Sequence, residues 1–372
     1  MCDLKGQYTK IKPEIDSAIQ EVIDSTSFIK GKDVNLFQDN LAKYLGVKHV
    51  IGCANGTDAL QIALMALGLK PGDEVITPDF TFIATVEVVA LLGMVPVLVD
   101  VDPLNFTIDI KKLEEAITPK TKAIIPVHLF GQCANMDEIM RIAKKHSIFV
   151  IEDNAQALGA DYFMENGSKV KAGTLGDIGT TSFFPSKNLG CYGDGGALFT
   201  NNDDLANEIR SIANHGMKVR YHHDRIGVNS RLDTIQAAIL NVKLKYLEEY
   251  NRARIFAANY YDSNLKACSH LAVPSRVKWS NHIFHQYTLR VIDANRDELV
   301  KHLASFGIPS MVYYPVPLHK QKAFEPYRAV NGTASFHVSD SLANSVISLP
   351  MHTEMDESTL KFICEKTLAF FK

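Results

Sequence analysis

The sequence carries little surplus charge. Over 372 residues, 39 Lys and Arg stand against 42 Asp and Glu, a formal net charge of −3. With no basic patch and no run of like charges, a nucleic-acid partner is not expected. A long hydrophobic run is also missing. The longest apolar stretch, 86–99, is broken by Gly93 and Pro96 and reads as helix then strand, too short to cross a bilayer. The opening MCDLKGQYTK lacks the apolar core of a signal peptide. Six cysteines are scattered and none pairs as CxxC, so no disulfide framework is expected and a reducing cytoplasm is the expected location. There is no HExxH, no Walker loop and no GxGxxG, and no internal repeat or low-complexity tract. The familiar signatures of zinc proteases, P-loop enzymes and dinucleotide binders are therefore lacking. His222 and His223 are adjacent, and neighbouring side chains on a strand or helix point apart. They are expected to be solvated loop histidines, and no metal is expected.

Hydrophobic residues make up 46% of the chain and charged residues 22%, the balance of an ordinary soluble protein. A chain this long buries enough apolar surface to fold without disulfide or metal. Apolar, strand-like runs at 49–53, 74–77, 95–100, 123–127, 149–152, 179–184 and 196–200 alternate with helical patterns such as 58–67 and 136–145. That rhythm predicts a mostly parallel sheet covered on both faces. Leu232, Ile235, Ile239, Val242 and Tyr246 recur at three- and four-residue steps, predicting a helix over 231–250. A domain boundary is expected along it. The large α/β domain is set at 1–245 and a smaller α+β domain at 246–372, with strand, helix and strand at 285–291, 296–306 and 310–314.

Three segments follow predicted strands, where ligands bind in open α/β sheets. In Asn55-Gly56-Thr57-Asp58 a strand gives way to a helix. Its free N–H groups suit a phosphate, with Gly56 allowing close approach and Thr57 adding a hydroxyl. The ordinary alternative is a turn with an Asp or Thr cap. In Glu152-Asp153-Asn154-Ala155-Gln156 a carboxylate stands at a strand end. Beside a pyridine nitrogen it would hold a proton there, with Gln156 by a phenolic oxygen. The alternative is a helix cap. In the string 182–190, SFFPSKNLG, Lys187 follows an apolar strand; desolvation would free its amine for Schiff-base chemistry. The glycines from Gly190 to Gly196 would let backbone pass close to a ligand. A surface loop lysine is the alternative.

Together these segments, with a lysine 34 positions after the acid, carry a resemblance. ANGTDAL, EDNAQ, SFFPSKNLG, GDGGA and NSRLD resemble the DegT/DnrJ/EryC1/StrS sugar aminotransferases, enzymes of pyridoxal 5′-phosphate (PLP) fold type I, the aspartate-aminotransferase-like fold. The likeness runs from residue 4 to about 250, with islands at 314–319 and 348–352. It implies that Lys187 forms the Schiff base with PLP and later moves the proton between the sugar carbon and the cofactor. It implies that Asp153 pairs with the pyridine nitrogen and Gln156 with the ring oxygen. Gly56, Thr57 and Ser182 would bind the phosphate and Phe82 would stack on the ring, unless Phe82 is plain core. Asn229 aligns with the asparagine that reaches the partner subunit's cofactor in a homodimer, although Asn229 or Ser230 also reads as a helix cap. Arg231, Tyr313, Tyr314 and His319 fall on the substrate side.

The resemblance further implies ping-pong transfer of an amino group from L-glutamate to a keto carbon of a nucleotide-linked sugar. The branch it most resembles acts at C3 of UDP-2-acetamido-2-deoxy-3-oxo-glucuronate, for cell-surface polysaccharide, and Arg231 suits a uronate carboxylate. The alternatives are a dTDP-3-oxo- or 4-oxo-6-deoxyhexose aminotransferase, a dehydrating relative, in which histidine replaces the lysine, and a non-catalytic regulator on the same fold.

Overall fold

The computed structural model describes residues 2–330 and 334–372. Its main sheet has seven strands: β1 (His49–Cys53), β2 (Glu74–Pro78), β3 (Val95–Val99), β4 (Thr121–Ile124), β5 (Phe149–Asp153), β6 (Ile178–Ser182) and β7 (Gly196–Thr200). Their spatial order is β1-β7-β6-β5-β4-β2-β3. Only β7 runs against its neighbours; the other pairings in the row are parallel. All five residues of β2 and of β7 are buried, as expected of strands covered on both faces. The fold class is therefore α/β with a mostly parallel sheet, as the alternating pattern predicted.

Two apolar clusters cover the faces. Leu60, Ile62, Val88, Leu198 and Ile209 lie in one and Ile76, Ile124, Ile139, Ile142 and Val150 in the other. A third cluster forms around a small antiparallel sheet of Leu271–Ala272, Tyr287–Val291 and Val346–Leu349. All six cysteines are free thiols. Among the described residues, no helix is long and apolar enough to cross a membrane.

Three sequence expectations need correction. The helix expected over 231–250 starts at Thr234, ends at Leu244, and is followed by a separate helix Leu247–Leu265. Its start is late because 228–230 is held extended: the N–H of Val228 donates to Ile212 and that of Ser230 to Ala213. Asp233, not Asn229 or Ser230, is the residue before its first turn. The strand expected at 310–314 reduces to one bridge, Met311 with Ser348, and the third strand of that sheet comes from Val346–Leu349 instead. Gly190 and Gly196 face protein backbone. A Cβ on Gly196 would lie 2.4 Å from the Asn55 carbonyl, and one on Gly190 2.4 Å from the Pro185 oxygen. These glycines let chain pass chain beside the site.

Candidate active site

The site forms where β1, β5 and β6 end. Helix Gly56–Ala66 follows β1 after two residues, and Asn55 caps it, its side chain accepting from the Asp58 N–H at 2.8 Å. The cap is thus Asn55 rather than Thr57 or Asp58. It satisfies one of the free N–H groups of the first turn and leaves the amides of Gly56 and Thr57 for an anion. Ser182, the last residue of β6, closes the other side. A Cβ on Gly56 would sit 2.7 Å from Ser182 Cβ, so only glycine leaves this cradle open.

Asp153 ends β5 and is 5% exposed. Its Oδ2 accepts from the Thr85 hydroxyl at 2.8 Å and its Oδ1 from the Ala155 N–H at 3.2 Å. Glu152 points to the other face of the strand, as alternation requires. There it accepts from the N–H groups of Gly173, Leu175 and Gly176 and pairs with the fully buried His128 at 2.8 Å. The His128 N–H in turn donates to the Asp153 carbonyl. Main-chain bonds therefore fix Asp153 from both sides.

Gln156 is engaged at both ends. Its Oε1 accepts from the Phe130 N–H at 2.7 Å and its Nε2 donates to the Tyr314 hydroxyl at 3.0 Å. Tyr314 stacks on Phe130 and meets Phe80 edge-on, and Tyr313 lies against it. Burial raises the Tyr314 phenol above its ordinary pKa, so it stays neutral. Phe82 lies 6.3 Å from Tyr314 and is 54% exposed. A ring that size left open beside a polar cleft suits a planar group stacked on it.

Lys187 lies in the tight turn that follows β6; its N–H donates to the Phe184 carbonyl at 2.8 Å. Burial pulls its amine from 10.5 down to about 8, against the opposing pull of the Asp153 carboxylate. A solvated surface lysine would show no such shift. Behind the turn, Asn188 bonds to Asn251 and the Ile283 carbonyl. The buried Lys243 amine donates to the Gly190 carbonyl at 2.5 Å.

At this cleft the structure brings Gly56 against Ser182, Asp153 near Lys187, and both Gln156 and Phe82 to Tyr314. His319 has other bonds. Its N–H and Nδ1 both engage Asp79 at 2.7 Å, its Nε2 lies 3.5 Å from Asp340, and its ring stacks on Phe336. Asn229 is exposed, and Arg231 lines a different cleft, at the free edge of β1. Thr85 and the His128–Glu152 pair escaped the sequence reading. Thr85 sits in an apolar helix with nothing to mark it. His128, directly after an apolar strand, was the one available signal.

A phosphate cradle, a buried carboxylate, an open aromatic face and a low-pKa amine fit PLP. Lys187 would bond it covalently, Gly56, Thr57 and Ser182 would hold its phosphate, and Asp153 would hold its ring nitrogen. Known proteins agree. The UDP-2-acetamido-2-deoxy-3-oxo-D-glucuronate aminotransferase of Pseudomonas aeruginosa is 50% identical over 362 residues, 97% of each chain. The UDP-N-acetyl-3-dehydro-alpha-D-glucosamine 3-aminotransferase of Acidithiobacillus ferrooxidans is 45% identical, over 97% of this chain and 94% of its own. The solved structure of NtdA from Bacillus subtilis, with bound pyridoxamine phosphate, superposes with a TM-score of 0.88 at 33% identity, over 97% of this chain and 82% of that one. The family model matches residues 9–368, which takes in every element of the cleft; the chain belongs to the DegT/DnrJ/EryC1/StrS aminotransferase family and uses PLP.

Proposed function

We propose that the protein moves an amino group from L-glutamate to C3 of UDP-2-acetamido-2-deoxy-3-oxo-glucuronate, as a cytoplasmic homodimer serving cell-surface polysaccharide synthesis. Lys187 carries this reading, because an amine with a pKa of about 8 is partly neutral near physiological pH. A neutral amine attacks carbonyl carbon and accepts protons; an ammonium does neither. Bound PLP supplies the electron sink that lets the C–H bond at the amino carbon break. Asp153, held by Thr85 and Ala155, keeps a proton at the ring nitrogen. Lys187 carries the proton to and from the reacting carbon. Phe82 and Tyr314 hold a flat ring in place and exclude water from its face.

The uronate is favoured by the 50% identity to the Pseudomonas aeruginosa enzyme. Asn229, exposed and in the middle of the extended 228–230 segment, is the residue assigned to the partner's cofactor. The test is spectroscopic. Glutamate should shift the visible band of the purified holoenzyme, and the keto-uronate nucleotide should restore it. The same sugar without its C6 carboxylate should restore it far more slowly. If glutamate leaves the band unmoved, the amino donor is wrong; if both sugars work equally, the uronate assignment is wrong.

A further inference from the structure

A charge buried without a cation needs a reason. Both side chains of the His128–Glu152 pair are fully buried. Glu152 accepts from the N–H groups of Gly173 at 3.0 Å, Leu175 at 2.6 Å and Gly176 at 2.6 Å, and from His128 Nε2 at 2.8 Å. His128 Nδ1 accepts from the Ala134 N–H at 3.2 Å, so the ring proton sits on Nε2 and points at Glu152. Every partner donates, which leaves Glu152 an acceptor at both oxygens and therefore a carboxylate. Among the described residues no lysine or arginine pairs with it. An apolar pair of similar volume would commonly stabilise the protein as well. What a fully satisfied buried network adds is fixed geometry.

The pair joins two pieces of chain that meet the cofactor site. Glu152 precedes Asp153 on β5. His128 opens the turn 128–134: its main-chain N–H donates to the Asp153 carbonyl at 3.1 Å, and its ring receives the Ala134 N–H from the far end of the turn. Inside the turn Phe130 has φ 56° and Gly131 φ 104°. A phenylalanine keeps a positive φ only where its surroundings impose it. The Phe130 N–H donates to Gln156 Oε1 at 2.7 Å, and its ring stacks on Tyr314. Asp153 and Gln156, the residues assigned to the ring nitrogen and the ring oxygen of PLP, are thus anchored to opposite sides of one knot.

We propose that His128 and Glu152 are positioning residues for the PLP ring. Their bond locks the 128–134 turn to β5 and so sets Asp153 and Gln156 at the spacing the ring requires. Both act through those two residues rather than on the ring. The inference rests on PLP as the cofactor and on the Asp153 and Gln156 assignments, and it is independent of which sugar is aminated.

The test loads folded variants with PLP and reads two quantities other than turnover: the PLP dissociation constant and the pH midpoint of the visible band. His128→Asn can still accept from Ala134 but is too short to reach Glu152. His128→Gln reaches Glu152 with an N–H and is the conservative rescue. His128→Asn should weaken PLP by about tenfold, the scale of one hydrogen bond to a charged group. It should also raise the pH midpoint by about half a unit or more. The sign follows from the ring. A protonated ring nitrogen withdraws electrons from the groups conjugated with it, so a looser Asp153 leaves those groups more basic. His128→Gln should stay within about threefold of wild type in affinity and hold the midpoint. A role in folding alone would lower the melting temperature and leave the midpoint in place.

The inference is overturned if His128→Asn keeps both quantities, if its melting temperature falls while its midpoint stays, or if His128→Gln is as impaired as His128→Asn. If His128→Asn does not fold, His128→Met, which fills the space and donates nothing, is read against the same limits. Should glutamate fail to move the visible band of wild type while these shifts are present, the amino donor proposed above falls and the pair keeps its role.

Discussion

Lys187 and Lys243 have the same perturbed pKa and different uses. Both are pulled from 10.5 to about 8, and burial is the largest cause for both. Both act on one stretch of chain, Lys187 near its start and Lys243 on its Gly190 carbonyl. Lys243 is 1% exposed, bonded to that carbonyl, and 5.3 Å over the Tyr192 ring. Lys187 is half-buried near Asp153, and among the described residues no hydrogen bond holds its amine. A shifted pKa therefore marks burial; it marks chemistry only where the amine meets a cleft with complementary groups. In the cofactor-free protein this difference is measurable. An acylating reagent should label Lys187 with a midpoint near pH 8 and leave Lys243 unlabelled. Labelling of both would erase the distinction.

The largest effect should come from removing the amine itself. Lys187→Ala should abolish turnover while leaving the fold intact, since the side chain makes no structural bond. Lys243→Ala should leave turnover measurable. Activity of Lys187→Ala above about a thousandth of wild type, in a steady-state assay, would end its assigned role. Recombination of the cofactor-free protein with PLP should also speed up with pH through about 8, because the amine attacks the aldehyde carbon only after losing its proton.

The next effects fall on Asp153 and its neighbour. Asp153→Asn removes the charge that holds a proton on the ring nitrogen and should lower kcat by roughly 100-fold or more. Thr85→Val removes one hydrogen bond to that carboxylate, worth about 1–1.5 kcal/mol, and should cost roughly tenfold. The two effects should not add, because both act through one carboxylate. Additive losses in the double variant would mean that Thr85 acts elsewhere.

Much of this was legible in the sequence. Each of the seven main strands was placed within three residues at either end, because buried parallel strands appear as continuous apolar runs. Gly56, Thr57, Asp153, Gln156, Ser182 and Lys187 stood out because each lies at or just after a strand end; Thr85 and the His128–Glu152 pair did not. Partnerships were not. Nothing local says that Gln156 reaches Tyr314, 158 positions away, or that His319 is tied to Asp79. The late helix start at Thr234 depends on bonds from Val228 and Ser230 to Ile212 and Ala213, which a periodicity count cannot detect.

The smallest effect concerns Lys243, and its sign depends on pH. A lysine whose folded pKa is depressed carries a full penalty below about 8, where it must stay charged in an apolar site. The penalty fades as pH rises towards 10.5, the unfolded value. A shift from 10.5 to about 8 corresponds to ~3 kcal/mol at most, offset by the bond to Gly190 and the contact with Tyr192. Lys243→Met keeps the volume and removes the charge. The variant should therefore be closest to wild type, or more stable, near pH 7, and wild type should gain on it between pH 8 and 10. Denaturant unfolding of both proteins at the two ends of that range reads the difference directly. A stability gap that does not change with pH would mean that the Lys243 pKa is not shifted by folding, and that its ammonium group is as comfortable inside the protein as in water.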